Sequence, residues 1–414
     1  MEITLINIKT NLHKNREMGG VMVIEYDVAE LNEENRKFFY EMTPYISTHI
    51  GKISRSGEVI RIETQEEFRD EVLQNCDRLK EMVTGGKLSK KELPIKTLED
   101  HSEIVPLNTR SIFEQLLETG SVYEMAEGAY AYGGLFLKIY KYFIAKIRDF
   151  GYEQFKGIQE YDYPVLYPVK DYEQGGYFES FPHYLMFQTV MKNDLDVLDR
   201  FAREGSADPH IFEEMKTPVN VMRHAACAPV YRMLAGRTID RDAPQIFLVS
   251  GKCFRNEAQN VTELSRLDEF LMNEYVFIGT PEQCKEGVEK AKDLWNFWMD
   301  TFGINCKIDT ANDSFFASNY KKLKVFQILG DSKQEFKWYL PATDYYCSCS
   351  SINIHRTHFS MPYNIRNDEG TFCHTACFAF GIERLAYALL CQKGLEPEKW
   401  DEATRNELLQ YVSL

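Results

Sequence analysis

The sequence predicts an α+β fold, an antiparallel sheet flanked by helices and preceded by a small N-terminal α/β domain. Three observations carry this prediction. Two apolar runs, Gln245–Phe254 and Leu267–Gly279, are joined by a polar loop and read as one long antiparallel hairpin. Strand-like segments follow one another with few helices between them, which argues against a doubly wound sheet. No Walker loop or dinucleotide glycine fingerprint occurs in the chain, so any nucleotide has to be held in another way.

The elements follow in order. Residues 1–100 open with strand-like runs at Ile3–Ile8 and Val21–Tyr26, separated by a polar loop with Gly19-Gly20. A helix is expected near Asn35–Ile50, then a strand at Glu58–Ile62 and an amphipathic helix from Gln65 to Val83. Thr84-Gly85-Gly86-Lys87 supplies the glycines at which helices stop. The polar stretch Lys87–Ser102, with Pro94, reads as a linker. This first domain carries no chemical motif and reads as a docking or dimer-supporting unit. The second domain, 101–414, is expected to hold a helix at Tyr130–Arg148, a strand at Tyr161–Val169 and a turn at Gly175-Gly176-Tyr177. Further on come a strand at Cys347–His355 and an apolar run, Ala376–Cys391, whose helix opens at Gly381.

Composition narrows the function. The 414 residues include 27 Phe and 24 Tyr, which excludes a mostly disordered chain. No apolar run approaches the roughly 18–20 residues of a membrane helix, so no membrane partner is expected. The start, MEITLINIKTNLHKN, lacks a basic-then-apolar secretory layout, and a cytoplasmic location is expected. A net charge of −15 argues against a large nucleic-acid face. Ten cysteines in such a chain read as reduced thiols, which are potential metal ligands.

Three segments carry candidate chemistry. In Cys253-Phe254-Arg255-Asn256-Glu257, an arginine and a glutamate two apart on a strand share a face. The first can fork a phosphate and the second can accept from an amine. The loop beyond adds Arg266, and the return strand opens with Phe270, an aromatic able to stack on a base. Downstream, Gly381-Ile382-Glu383-Arg384 begins the apolar helix with an arginine in its first turn. Glu274 shares the face of Phe270 on the return strand, while Cys227 and Cys377 lie in His224–Tyr231 and His374–Phe380. Two thiols and a carboxylate are a plausible three-ligand set, although spacing alone does not select them.

Together these segments resemble the class II aminoacyl-tRNA synthetases, whose second motif is Phe-Arg-x-Glu with a loop and return strand and whose third is Gly-x-Glu-Arg opening a helix. Gly151–Pro164 is a loose match to the first motif, which lies at a dimer interface, so a homodimer is implied. The resemblance gives Arg255 the ATP α-phosphate and Arg384 the γ-phosphate. It gives Glu257 the adenine amine, Phe270 the adenine ring and Arg266 the bent triphosphate. Class II enzymes place an acidic magnesium ligand on the strand before the third motif; here Tyr345–Ser350 has none and Asp344 is nearest.

Within the class, residues 105–414 resemble two groups: atypical, methanogen-type seryl-tRNA synthetases and the amino acid:[carrier protein] ligases. Both carry Cys, Glu and Cys zinc ligands in these contexts, which implies one zinc per chain on Cys227, Glu274 and Cys377. Gly176–His183, Ser351–His355 and His358-Phe359 resemble the carrier-protein ligases in particular. The implied function is ATP-dependent activation of a small amino acid, with magnesium. Transfer then goes to the phosphopantetheine thiol of a carrier protein. The lysines at 87–91 and 321–324 are the candidate docking patches. Charging of tRNA is the second reading, and a non-catalytic synthetase paralogue is the third.

Overall fold

The computed structural model describes residues 21–84, 95–205, 209–311 and 332–414. The chain divides into two compact units, Met1–Ser89 and Lys90–Leu414. The expected strand Ile3–Ile8, the Gly19-Gly20 loop, Gly85–Lys87 and the lysines at 87–91 and 321–324 lie outside the described residues.

In the first unit, β1 (Val21–Asp27), β2 (Ile50–Ser56) and β3 (Val59–Gln65) form an antiparallel sheet in the order β1-β3-β2. The helices Glu33–Met42 and Arg69–Thr84 contribute buried Phe39, Met42, Val72 and Cys76, and the central strand β3 contributes buried Ile60 and Ile62. The helix expected to reach Ile50 stops at Met42, because Pro44 allows only the single 3-10 turn Thr43–Tyr45. The strand that follows, β2, was not anticipated: as an edge strand with few buried side chains it shows no apolar alternation.

The larger unit begins with β4 (Thr97–Asp100) and the hairpin β5 (Val122–Ala126) and β6 (Ala129–Tyr132). The helix Gly134–Gln154 and the strands β7 (Gln159–Asp162), β8 (Leu166–Pro168), β9 (Met186–Gln188), β10 (Asn220–Met222) and β11 (Thr238–Ile239) come next. Then come β12 (Gln245–Phe254), β13 (Glu269–Gly279), β14 (Cys306–Thr310), β15 (Lys333–Leu340), β16 (Tyr345–Arg356), β17 (Arg366–Asn367) and β18 (His374–Gly381). Eight of these form one sheet in the order β4-β14-β15-β16-β18-β13-β12-β7. Every neighbouring pair in it is antiparallel except β7 and β12. The fold is thus α+β, as expected.

Three local expectations need correction. Thr97–Asp100, read as part of a linker, is an edge strand of the large sheet whose four exposed residues include one apolar side chain, Leu98, and so give no apolar period. Tyr161–Val169 is two strands in two sheets, β7 and β8, divided around Pro164, which cannot donate to a ladder. The helix expected at Tyr130 begins at Gly134, after β6, and runs through Gly151 to Gln154. Gly151 is needed there because a Cβ would sit 2.9 Å from the Tyr275 ring.

Alternation along the strands gives the sheet two unlike faces. Tyr275, Phe277, Phe378 and Phe380 point into the main core, with Trp295 and Trp298 of the helix Asp293–Phe302 and Leu385 and Leu389 of the helix Ile382–Lys393. The opposite face carries Val249, Val276 and Cys377 into a second cluster with Tyr172, Tyr177, Tyr231 and Phe359. That second face carries the candidate site.

Candidate active site

Register brings the metal-ligand candidates together. Cys377 lies opposite Val276 on one side and Asn353 on the other, and Glu274 is two residues from Val276, so all four share a face. Cys227 arrives from a separate loop, at the start of the short helix Ala228–Met233. Ligand atoms of Cys227, Glu274 and Cys377 all lie within 4.8 Å of one another, and all three residues are buried. The Glu274 Oε1 accepts from the Ala226 and Cys227 N–H groups at 2.8 and 3.0 Å, which fixes the carboxylate against the loop. The Cys377 sulfur receives Asn353 Nδ2 at 3.8 Å and lies 3.7 Å from His355 Nε2. His355 Nδ1 meets Tyr231 and Thr375 hydroxyls, each at 3.4 Å.

The donor set suits a thiophilic divalent ion. Two thiols and a carboxylate at this spacing can be drawn onto one centre with bonds of about 2.0–2.3 Å. The hydrogen bond with Cys377, burial and the Glu274 carboxylate hold the Cys227 thiol well above its ordinary range. The hydrogen bond with Cys227 lowers the Cys377 thiol, but burial and Glu274 outweigh it and the net shift is upward. Such a cluster is poorly matched to bare thiolates, and a cation reverses that preference.

Sequence reasoning missed the group that anchors the Cys227 loop. Arg223 is 1% exposed, and its guanidinium donates to Lys252 O at 2.9 Å and Tyr163 O at 3.0 Å. It occupies the space above Gly251, where any Cβ would overlap it. A glycine within an apolar strand is the one signal that could have flagged this approach. His224 beside it is buried, donating its N–H to the Tyr172 hydroxyl at 2.8 Å.

Arg384 lines a small cavity with Phe270, and Arg255 lies against the same ring. Arg255 and Glu257 lie past the end of β12 rather than on it, so the shared-face argument from strand alternation does not apply. The Arg255 guanidinium instead lies over the rings of Tyr184, at 5.5 Å, and Phe270, at 5.1 Å. Glu257, 2% exposed, is paired with Arg266 at 2.7 Å. Phe270, Gly381, Glu383 and Arg384 line one cavity with Ser265 and Leu267 of the loop. Arg384 donates from Nη1 to Ser348 O at 3.0 Å. His183, from the Gly176–His183 stretch, is pushed down to about 3 by burial and by Arg266 and Arg255. It is therefore neutral near pH 7.

Glu383 closes the floor. Both carboxylate oxygens accept from the Leu271 N–H, at 3.0 and 2.9 Å, which locks the helix start to β13. Burial pushes its carboxyl up to about 7, against the pull of Lys252 at 3.5 Å. Asp344 is exposed in the turn before β16 and accepts from the Tyr339 hydroxyl at 2.8 Å.

Residues 213–393 match the family described as tRNA synthetase class II core domain (G, H, P, S and T). The chain is 28% identical to amino acid–[acyl-carrier-protein] ligase 1 of Bradyrhizobium diazoefficiens, over 68% of this chain and 85% of the relative. It is 30% identical to ligase 2 of the same organism, over 59% of this chain and 73% of the relative. Identity is 26% to the type-2 serine–tRNA ligase of Methanopyrus kandleri, over 62% of this chain and 52% of that protein. The fold superimposes on the M. kandleri SerRS solved in complex with A. aeolicus tRNASec. The TM-score is 0.67 at 21% identity, covering 94% of this chain and 77% of that one. With its antiparallel sheet and the matching core, the chain belongs to the class II aminoacyl-tRNA synthetase family, alongside amino acid–[acyl-carrier-protein] ligases and type-2 serine–tRNA ligases.

Proposed function

We propose that the chain activates a small amino acid with ATP to the aminoacyl-adenylate and passes the acyl group to the phosphopantetheine thiol of a carrier protein. The observation that carries this reading is the convergence of Cys227, Glu274 and Cys377 at β13, the same strand whose Phe270 meets Arg255 and the cavity lined by Arg384. Zinc on those three residues would act as a Lewis acid that takes a free amine. The protein's own groups then do the positioning. Arg255 and Arg384 neutralise phosphate charge as the carboxylate attacks the α-phosphate and pyrophosphate leaves. Glu257, paired with Arg266, is the candidate reader of the adenine amine, with magnesium accompanying the nucleotide. Phe270 is the candidate adenine platform. The 28–30% identity to the two carrier-protein ligases favours the thiol acceptor. Similarity to the serine–tRNA ligase supports charging of tRNA as the second reading. A homodimer is proposed from the family.

The substrate side chain is expected to be small. Two large buried side chains bound the ligand set, Tyr177 near Cys227 and Tyr231 near Cys227 and Cys377. Pyrophosphate exchange with each amino acid in turn is the test. Exchange should be strongest with glycine, alanine or serine, and neighbours differing by one methylene should compete within about 10–200-fold. Preferential activation of a large aromatic amino acid contradicts the reading.

A further inference from the structure

Two thiols stand where the third-motif arginine is held. The ladder between β15 and β16 pairs Lys337 with Ser348 and Phe336 with Ser350, so Cys349 is the unmatched residue of a β-bulge. A bulge bends a strand and re-aims its side chains. Here it leaves Cys347 and Cys349, 2% and 1% exposed, as close neighbours, with Cys349 Sγ reaching Cys347 O at 3.4 Å. Ser348, between them, supplies the carbonyl that holds Arg384 Nη1 at 3.0 Å. The Cys349 carbonyl lies against Gly381, where the arginine's helix begins. Neither thiol belongs to the ligand set described above.

We propose that Cys347 and Cys349 form a reversible oxidation site, in which a hydroperoxide converts the two thiols to one disulfide and thereby unseats Arg384. The Cys347 sulfur attacks the peroxide oxygen, the O–O bond breaks, and an alcohol or water leaves, giving the sulfenic acid. The Cys349 sulfur then attacks that sulfur. The S–S bond forms, the S–O bond breaks, and water leaves with the Cys349 proton. Two electrons pass from the pair to the peroxide. The hydrogen bond from Cys349, against burial and with help from Arg384, holds the Cys347 thiol below its ordinary range. Burial holds the Cys349 thiol well above, so the first is the attacking sulfur and the second the resolving one. Cys347 Sγ lies 4.0 Å from the backbone oxygen of Ser265, one of the residues that line the cavity, and a small oxidant is expected to reach it from that side. Drawing the two sulfurs to bonding distance has to move the Ser348 carbonyl between them.

The effect on adenylation rests on the role proposed for Arg384; the chemistry of the pair does not. The tryptic peptide Trp338–Arg356 contains both cysteines and no other. The full-length protein is treated with hydrogen peroxide, its free thiols are alkylated, and bound zinc and pyrophosphate exchange are followed in the same samples. The expected result is an unalkylated peptide lighter by two hydrogens, zinc retained, and a raised KM for ATP that dithiothreitol reverses. In Cys349→Ser the sulfenic acid on Cys347 should persist and be trapped by a dimedone reagent. Full alkylation of both cysteines at a dose that halves exchange overturns the proposal, since inhibition then runs through other thiols. Complete disulfide with an unchanged KM for ATP overturns the link to Arg384. The mass readout on the wild-type chain requires no variant to fold.

Discussion

Arg384→Ala is expected to reduce amino-acid-dependent pyrophosphate exchange by at least about a hundredfold, and Arg255→Ala by a similar factor. Removing one preorganised donor from a site where charge develops costs about 10²–10³ in rate, or about 2.7–4 kcal/mol. The two side chains are held differently, so their secondary effects should differ. Arg255 rests on the Tyr184 and Phe270 rings and donates from Nε to His224 O at 3.2 Å. Arg384 is partly buried, and truncation strips the Ser348 carbonyl of its donor. That should lower stability as well, by about 1–3 kcal/mol. Arg384→Lys separates the two effects: it keeps the charge, loses the fork, and should retain a near-normal Tm while exchange remains low. Exchange above about a tenth of wild type in either alanine variant, a loss under about 1.4 kcal/mol, does not fit direct phosphate contact.

Cys227→Ser is expected to lose both bound zinc and adenylation. Its sulfur is one of three converging donors, and the ligand geometry has no replacement thiol among the described residues. Because Cys227 starts the helix Ala228–Met233 in a loop already anchored by Arg223 and His224, the serine variant should fold. Metal analysis after gel filtration should give about one zinc per wild-type chain and well under a tenth of that in the variant. Full zinc occupancy in Cys227→Ser removes this residue from the ligand set. Glu274→Gln provides the graded case. It keeps an acceptor for the Ala226 and Cys227 N–H groups, so weakened zinc binding there reports the lost charge and not a collapsed loop.

The parts of the fold that were legible are those with a one-dimensional signature. The β12–β13 hairpin and the helix opening after Gly381 are apolar runs with polar or glycine boundaries, and β16 alternates small polar and apolar residues. Strands paired at the sheet edge, β2 and β4, are mostly exposed, with isolated apolar residues among polar ones, and show no period. The helix Pro281–Ala291 had a visible start signal, the capping box of Thr280 and Gln283 with Pro281 at its first position, which went unused. For the site, the candidate residues came from the resemblance; spacing alone does not select Cys227, 150 positions and more than one sheet strand from Cys377 in the chain. Their convergence depends on the β13–β18 register and on Arg223 filling the space over Gly251, and neither is written in any local pattern.

The most direct measurement of the central claim is the fate of the activated amino acid. Protein, ATP, magnesium and a labelled small amino acid are offered either a holo-carrier protein or tRNA, and the label is followed onto each. Label should accumulate as a thioester on the phosphopantetheine arm, released by hydroxylamine and absent with apo-carrier protein, with little on tRNA. Efficient charging of tRNA with no thioester on holo-carrier protein contradicts the account in favour of an aminoacyl-tRNA synthetase, and absence of label on either acceptor together with no pyrophosphate exchange contradicts adenylation itself.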